Sequence, residues 1–245
     1  MLSACPVDPA RRDFEEAESF LNQGALREAA QRYSFVVTRY PGSAYAPQSQ
    51  LKIARIYSSR LQDYEKAEYA YSALFFMYPA SAESLAGREE LAALHSSRGE
   101  HMKAIEEYQR LFQALPGSRQ KFQYLMAMEY IGMNDFVQAR AELEELGKIA
   151  GNPGLSPRIR LHIAETYYLE GSYREALGRY DDVIRRFPEN DAAVEAMLGK
   201  AVIFEEEGSF GKAVKVLEEV RAKKQMPGLD ERIRKLSGYG KAGRR

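Results

Sequence analysis

Apolar residues recur along this chain at the spacing of an amphipathic helix. In the first stretch they are Ala29, Tyr33, Val36, Val37 and Tyr40, which are positions i, i+4, i+7, i+8 and i+11. The same spacing starts again at Ala67, Ala104 and Ala176. Residues so spaced share one face of an α-helix. The pattern therefore predicts an all-α protein whose helices each bury one stripe.

The helical pattern is part of a longer repeat. An alanine followed four residues later by a large apolar residue occurs at Ala29, Ala67, Ala104, Ala139, Ala176 and Ala213, at intervals of 38, 37, 35, 37 and 37 residues. In four of these six segments a proline stands eight residues after the aromatic residue, and Ser or Asn follows two residues later; the prolines are Pro41, Pro79, Pro116 and Pro188. Agreement of several residue types in register indicates an internal repeat.

Each residue type in the repeat has a mechanical role. Alanine lets two helices cross closely, proline ends a helix, and the Ser or Asn accepts a hydrogen bond from the first N–H groups of the next helix. A second helix precedes each alanine and ends near a glycine that can close it in the left-handed conformation; these glycines are Gly24, Gly99, Gly171 and Gly208.

Two segments vary the pattern. Ala54 and Ala67 are 13 residues apart, against 12 for the pair in the fifth repeat, so one extra residue is expected in the turn at 61–63. In the fifth repeat, Ser156 and Pro157 are expected to start the helix, with proline at its first position.

This pattern on paired helices resembles the tetratricopeptide repeat (TPR), whose period is about 34 residues. The resemblance covers residues 10–224 and implies a right-handed superhelical solenoid of about six helix pairs. Residues 1–9 then form a leader, and 225–245 a short capping helix, marked by Leu229, Ile233 and Leu236, with a basic tail. We expect residues 237–245 to be disordered. The Gly- and Pro-rich segment 147–157 predicts a longer loop and a bend.

Composition argues against several kinds of function. Lys+Arg and Asp+Glu balance at 35 each, which is not the charge of a dedicated nucleic-acid binder. No apolar run is long enough for a transmembrane helix. The three histidines, His95, His101 and His162, are scattered, and no common catalytic motif occurs, so we expect no enzyme, no metal site and no cofactor.

Binding of a protein or peptide is the expected activity. By the resemblance, the first helix of each pair lines a concave groove. Residues on those helices that the repeat core does not use are candidates for contact: Arg55, Lys121, Tyr124, Met128, Arg158, Glu165, Tyr168 and Leu198. Tyr, Met and Arg are enriched in interface cores. Phe76 and Met77 also lie outside the repeat pattern, and they are either a docking patch or packing against the irregular second turn.

The start of the chain, Leu2-Ser3-Ala4-Cys5, resembles the lipobox of bacterial lipoproteins, in which the cysteine is acylated. Only four residues precede Cys5, so the remaining regions of a signal peptide would lie upstream of Met1. Pro6 after the cysteine implies, by the same resemblance, sorting to the outer membrane. The alternative is an incidental cysteine.

Two functional hypotheses follow. Cys5 followed directly by repeats with Tyr40-Pro41-Gly42-Ser43-Ala44-Tyr45-Ala46 resembles the BamD family of outer-membrane assembly lipoproteins and the repeat part of the YbgF/CpoB proteins. That resemblance implies a periplasmic scaffold, anchored to the outer membrane by lipid, that acts in envelope assembly. The alternative is a cytoplasmic TPR adaptor.

Overall fold

The computed structural model of this chain describes residues 8–148 and 155–242. The described residues form thirteen α-helices: α1 (Pro9–Asn22), α2 (Leu26–Arg39), α3 (Tyr45–Arg55), α4 (Tyr64–Met77), α5 (Ala82–Ser97), α6 (His101–Ala114), α7 (Arg119–Gly132), α8 (Phe136–Lys148), α9 (Leu155–Leu169), α10 (Tyr173–Arg186), α11 (Asp191–Glu206), α12 (Phe210–Lys223) and α13 (Leu229–Ala242). We call the first helix of each pair the A helix (α1, α3, α5, α7, α9, α11) and the second the B helix. The predicted solenoid of six helix pairs and a capping helix is confirmed.

The chain divides into two compact units, Met1–Arg119 and Gln120–Arg245. The first contains repeats 1–3, with an apolar core contributed by α1 to α5. The second contains repeats 4–6 and α13, with core clusters from α7 to α9, from α9 to α11 and from α11 to α13. The bend expected at 147–157 stays a prediction, because residues 149–154 lie outside the described part of the chain.

The alanines, large apolar residues and prolines that defined the repeat take their expected positions, and three of the four Ser or Asn residues accept from an N–H at the start of the next helix; Ser118 instead ends a 3-10 turn, Pro116–Ser118. The alanine at the start of each B-helix pattern is fully buried in all six repeats, and the large residue four positions later is also buried. The B helices that precede the four prolines end two residues before them. Asn190 caps α11 by accepting from the Ala192 N–H at 3.0 Å, and Ser81 caps α5 by accepting from the Ser84 N–H at 3.0 Å.

The turn between the helices of a pair keeps one conformation even where glycine is missing. Gly24, Gly99, Gly171 and Gly208 all have positive φ, as expected. Gln62 (φ 53°) and Asn134 (φ 60°) hold the same conformation in repeats 2 and 4. Both lie five residues before their alanine, as the four glycines do. The position therefore requires the left-handed region, whichever residue occupies it.

The extra residue of the second repeat lies in a helix and not in the turn, contrary to our expectation. The chain continues from α3 into a π-helical turn, Ile56–Arg60, which takes up one more residue per turn than an α-helix. The hydroxyl of Ser59 donates to the Arg55 carbonyl at 2.7 Å. The turn that follows, at Gln62, therefore has the same length as in the other repeats.

Two helix boundaries also differ from prediction. Helix α9 begins at Leu155, so Pro157 is its third residue and not its first; proline is tolerated there because N–H groups of the first turn have no partner within the helix. Helix α13 extends to Ala242, so residues 237–242 are helical and not disordered. In this last part of α13, Tyr239 packs on Phe210 of α12, with the ring centroids 5.4 Å apart. Residues 243–245 lie outside the description.

Within the described residues, every helix is too short or too polar to span a membrane. Cys5 and most of the predicted leader precede the first described residue. The structure starts at Asp8, whose side chain accepts from the Ala10 N–H at 3.0 Å and so caps α1.

Candidate functional site

The eight predicted contact residues lie on four A helices. One is on α3 in the first unit: Arg55. The other seven are on α7, α9 and α11 in the second unit: Lys121, Tyr124, Met128, Arg158, Glu165, Tyr168 and Leu198. None of them is fully buried. The structure brings Tyr124, Arg158 and Glu165 together, and it places Arg55 in a different unit.

The centre of the group is a hydrogen-bonded chain from α7 to α9. The hydroxyl of Tyr124 and Nε2 of His162 are 2.8 Å apart, and Nδ1 of His162 is 2.7 Å from Oε2 of Glu165. A carboxylate can only accept, so Nδ1–H donates to Glu165, and in neutral His162 Nε2 is left to accept from Tyr124. Burial raises the pKa of Tyr124, and the charges of Arg158 and Glu165 also act on it, in opposite directions. All four side chains therefore form one polar cluster.

Further contacts connect α9 to α11. Arg158 donates to Glu195 at 2.9 Å, and the Tyr168 hydroxyl donates to Glu206 at 2.7 Å. The bond to Glu206 is the largest cause that raises the pKa of Tyr168, to about 12. The Tyr168 ring also stacks on Tyr173 of α10, with centroids 5.9 Å apart. Both residues are thus held in place while part of each side chain stays exposed.

Arg55 makes the corresponding contact in the first unit. Its guanidinium binds Glu90 of α5 in a bidentate manner, with Nη2 2.6 Å from Oε1 and Nε 3.0 Å from Oε2. This hydrogen bonding is the largest cause that raises the pKa of Arg55. Lys52 of α3 and Glu18 of α1 form a further pair at 2.8 Å.

We call the four hydrogen-bonded contacts of Arg55, Tyr124, Arg158 and Tyr168 the A-helix ladder. Each contact connects residues 35 to 38 positions apart, which is one repeat. Sequence reasoning missed their partners Glu90, Glu195 and Glu206. A search for opposite charges or hydrogen-bonding types one period apart would have found them, because residues one repeat apart occupy equivalent places on neighbouring A helices.

The remaining predicted contact residues have apolar surroundings. Met128 packs on the apolar cluster of α7, α8 and α9, and Leu198 on that of α11, α12 and α13. Lys121 is exposed, with Nζ 5.4 Å from the centroid of the Phe122 ring. Met128 therefore extends the polar cluster at Tyr124 with a half-buried thioether on the same helix.

The basic carboxyl end is partly neutralised. Lys224 pairs with Asp191 at 2.7 Å, and Arg232 with Glu205 at 2.6 Å. Arg234 and Lys235 are exposed and have no ion-pair partner among the described residues. Arg234 and Lys235 therefore remain available to an acidic partner.

The histidine of the fifth A helix belongs to the ladder, whereas His95 belongs to an ion cluster in the first unit. Nδ1 of His95 is 2.8 Å from Glu100 and 3.8 Å from Glu68. Such a group could hold a metal ion. Here, however, the Glu100 carboxylate already forms ion pairs with Lys103 at 3.0 Å and with Arg98 at 2.9 Å. Two fixed cations beside the same carboxylate favour a structural ion network over a metal site.

Comparison with known proteins agrees with the helical-repeat fold. Residues 161–227, which begin inside α9 and end between α12 and α13, match the tetratricopeptide repeat family. A search of curated protein sequences finds no match.

Among solved structures, a tetratricopeptide repeat protein from Parabacteroides merdae is 19% identical with a TM-score of 0.62, over 94% of this chain and 87% of that one. PilW, a type IV pilus biogenesis factor, is 16% identical with a TM-score of 0.52, over 89% of this chain and 94% of that one. YrrB, a TPR protein with an unusual peptide-binding site, is 15% identical with a TM-score of 0.51, over 84% of this chain and 99% of that one. Likenesses at these identities show the fold alone. The chain therefore has the helical-repeat fold of tetratricopeptide repeat proteins, and residues 161–227, within its fifth and sixth repeats, match that family in sequence.

Proposed function

We propose that the chain is a non-catalytic scaffold that binds a protein or peptide through the A-helix face of repeats 4 and 5. The observation that carries this proposal is that Tyr124 and Met128 of α7 and Arg158 and Tyr168 of α9 lie on consecutive A helices of one compact unit. These residues combine aromatic, thioether and guanidinium groups, which are the types that dominate interface hot spots. The ladder holds Tyr124, Arg158 and Tyr168 in one arrangement, so little of their side-chain entropy would be lost on binding a partner.

The proposal is tested by capture from a bacterial envelope extract, with captured proteins quantified by mass spectrometry. We expect Tyr124→Ala/Tyr168→Ala to reduce specific capture by about tenfold or more, since truncating a hot-spot residue costs ≥ 2 kcal/mol. The matched control is Val137→Ala on α8, an exposed residue of the same unit that the ladder does not use. Circular dichroism of each variant shows whether it is folded.

The competing site is the basic surface of α13. Arg234→Gln/Lys235→Gln leaves the buried residues of that helix in place. If this variant loses the partner while the double tyrosine variant keeps it, the A-helix face is not the binding site. A contact with α13 would also weaken with rising ionic strength, because attraction between exposed charges is screened by salt.

We propose further that the scaffold acts at the bacterial cell envelope, as a lipoprotein acylated at Cys5 and anchored to the outer membrane. The support is the run Leu2-Ser3-Ala4-Cys5 and the resemblance to the BamD and YbgF/CpoB proteins. The fold is shared with PilW, a pilus biogenesis factor, at an identity that supports the fold only. A partner from envelope assembly is expected on this proposal.

A further inference from the structure

A groove runs along the B helices of the first unit. Helix α2 forms one wall and α4 the other, and the floor comes from Ile53 of α3 and Tyr57 of the π-helical turn that follows it. The groove has a volume of about 610 Å³. On α2 its lining extends from Arg27 to Thr38, a rise of roughly 16 Å at 1.5 Å per residue. The groove is thus as long as three turns of an α-helix, and no residue of the A-helix ladder lines it.

The α4 wall is unusually apolar for an exposed surface. Tyr69 and Phe76 are 78% and 87% exposed, and Met77 is 42% exposed. Tyr69 and Met77 line the groove, and Phe76 adjoins Met77. Tyr69 and Phe76 are seven residues apart and therefore lie on the same side of α4. Of the two interpretations the sequence left open, packing against the second turn is wrong for Phe76.

Comparison with the other repeats shows that the fold does not require these two residues. The positions equivalent to Tyr69, two residues after the repeat alanine, hold Gln31, Glu106, Ala141, Gly178 and Lys215. The positions equivalent to Phe76, nine residues after the alanine, hold Thr38, Gln113, Lys148, Arg185 and Ala222. Five repeats thus carry small or polar residues where the second repeat exposes an aromatic ring. An exposed apolar surface that packing does not explain marks an interaction site.

The charges in the groove are of one sign. Its lining contains Arg27 and Lys66 and no carboxylate. Arg27 has no ion-pair partner among the described residues, while Lys66 binds Asp63 at 2.7 Å. The hydrogen bond to Asp63 raises the pKa of Lys66, and the charge of Arg27 acts against that rise. Since Arg27 and Lys66 lie in the first turns of α2 and α4, one end of the groove is cationic.

We infer that this groove binds an amphipathic helix of a partner protein, with apolar residues facing Tyr69, Phe76 and Met77 and acidic residues at the end that meets Arg27 and Lys66. A helix of three turns matches the length of the groove, and helix-in-groove binding is a common mode of recognition. The exposed rings supply the apolar contact area. The cations select for a carboxylate-bearing partner, because complementary charge sets orientation and specificity.

The test uses a displayed library of random 14-residue peptides, selected on the full chain and counted by sequencing. We expect enriched peptides to carry apolar residues at helical spacing and Asp or Glu near one end. Their affinity should fall at least tenfold for Tyr69→Gln/Phe76→Gln, which places in the second repeat the glutamine found at the equivalent positions 31 and 113. Arg27→Glu should shift the enriched peptides from acidic to basic residues at that end.

The control is Val137→Gln, which replaces another exposed apolar residue (70% exposed) in the second unit and should bind the selected peptides as the parent chain does. The inference is overturned if enriched peptides lack the acidic end, or if they bind the double glutamine variant unchanged. It is also overturned if light scattering shows self-association that this variant abolishes, since a second copy of the chain would then be the occupant. The selected peptides should bind Tyr124→Ala/Tyr168→Ala as they bind the parent chain, because neither tyrosine lines the groove. Failure of the proposed A-helix function can therefore be distinguished from failure of this inference.

Discussion

Gly199 of α11 shows how closely the helices of the fifth and sixth repeats pack. A methyl group added at this residue would lie 2.6 Å from Cζ of Tyr180, a buried residue of α10. Gly178, on α10 itself, has nothing within 4 Å of the position that a methyl group would take. The two glycines are therefore a matched pair: one is required by packing, and the other only lowers helix propensity.

We expect Gly199→Ala to lower the free energy of unfolding by about 1–3 kcal/mol, because overpacking forces neighbouring side chains to move. Gly178→Ala should raise it by about 0.5–1 kcal/mol, since alanine in an exposed helix interior is favoured over glycine. Urea denaturation followed by circular dichroism measures both. If the two substitutions shift the midpoint in the same direction, α11 does not approach Tyr180 as closely as described.

At the scale of elements, the ion cluster around Glu100 connects three helices of the first unit. Glu100 stands in the turn between α5 and α6, His95 and Glu68 belong to α5 and α4, and Lys103 lies in the first turn of α6. Hydrogen bonds from Lys103, Arg98 and His95 lower the pKa of Glu100 to about 2. A glutamate in an unfolded chain has a pKa of about 4.3.

The stability of the protein should depend on pH through this carboxylate. A pKa that is lower in the folded state contributes stability that is present above about pH 4.3 and is lost as the pH falls towards 2. We expect Glu100→Gln to lower the melting temperature at pH 7 and to have little effect near pH 2. Glu106→Gln, which removes an exposed carboxylate 4.0 Å from Arg110, is the control and should have little effect at either pH. A melting difference for Glu100→Gln that is the same at both values would contradict the assignment.

At the scale of the whole molecule, the proposed envelope location depends on one residue, Cys5, which lies outside the described part of the structure. We expect the protein expressed from its native locus to incorporate labelled palmitate and to fractionate with membranes, and Cys5→Ala to lose both properties. Ser3→Ala, which keeps the cysteine and a small residue before it, is the control and should retain the label. Equal labelling of Cys5→Ala and the parent protein would show that the lipoprotein proposal is wrong.

Proximity between repeats is the part of the candidate site that the sequence predicted least well. Helical phase predicts eight contact residues, and all of them lie on A helices. Their phase did not reveal that Tyr124, His162 and Glu165 form one hydrogen-bonded chain, or that Arg55 and Arg158 are paired with carboxylates one repeat away. Such contacts depend on the packing of neighbouring A helices, which no single helix encodes.

The sequence by itself determined the helices, their pairing and most of their ends, because each depends on local chemistry: an apolar stripe, a proline after the helix, a capping side chain. The start of α9 and the end of α13 were not among the ends it determined. It could not locate the extra residue of the second repeat, since a π-helical turn at 56–60 and a longer loop at 61–63 consume the same number of residues. It also missed the left-handed turns at Gln62 and Asn134, because no glycine marks them and a residue other than glycine rarely takes this conformation. Only the tertiary structure decided that Phe76 faces solvent beside a cationic groove, because exposure is a property of the neighbours that a side chain has or lacks.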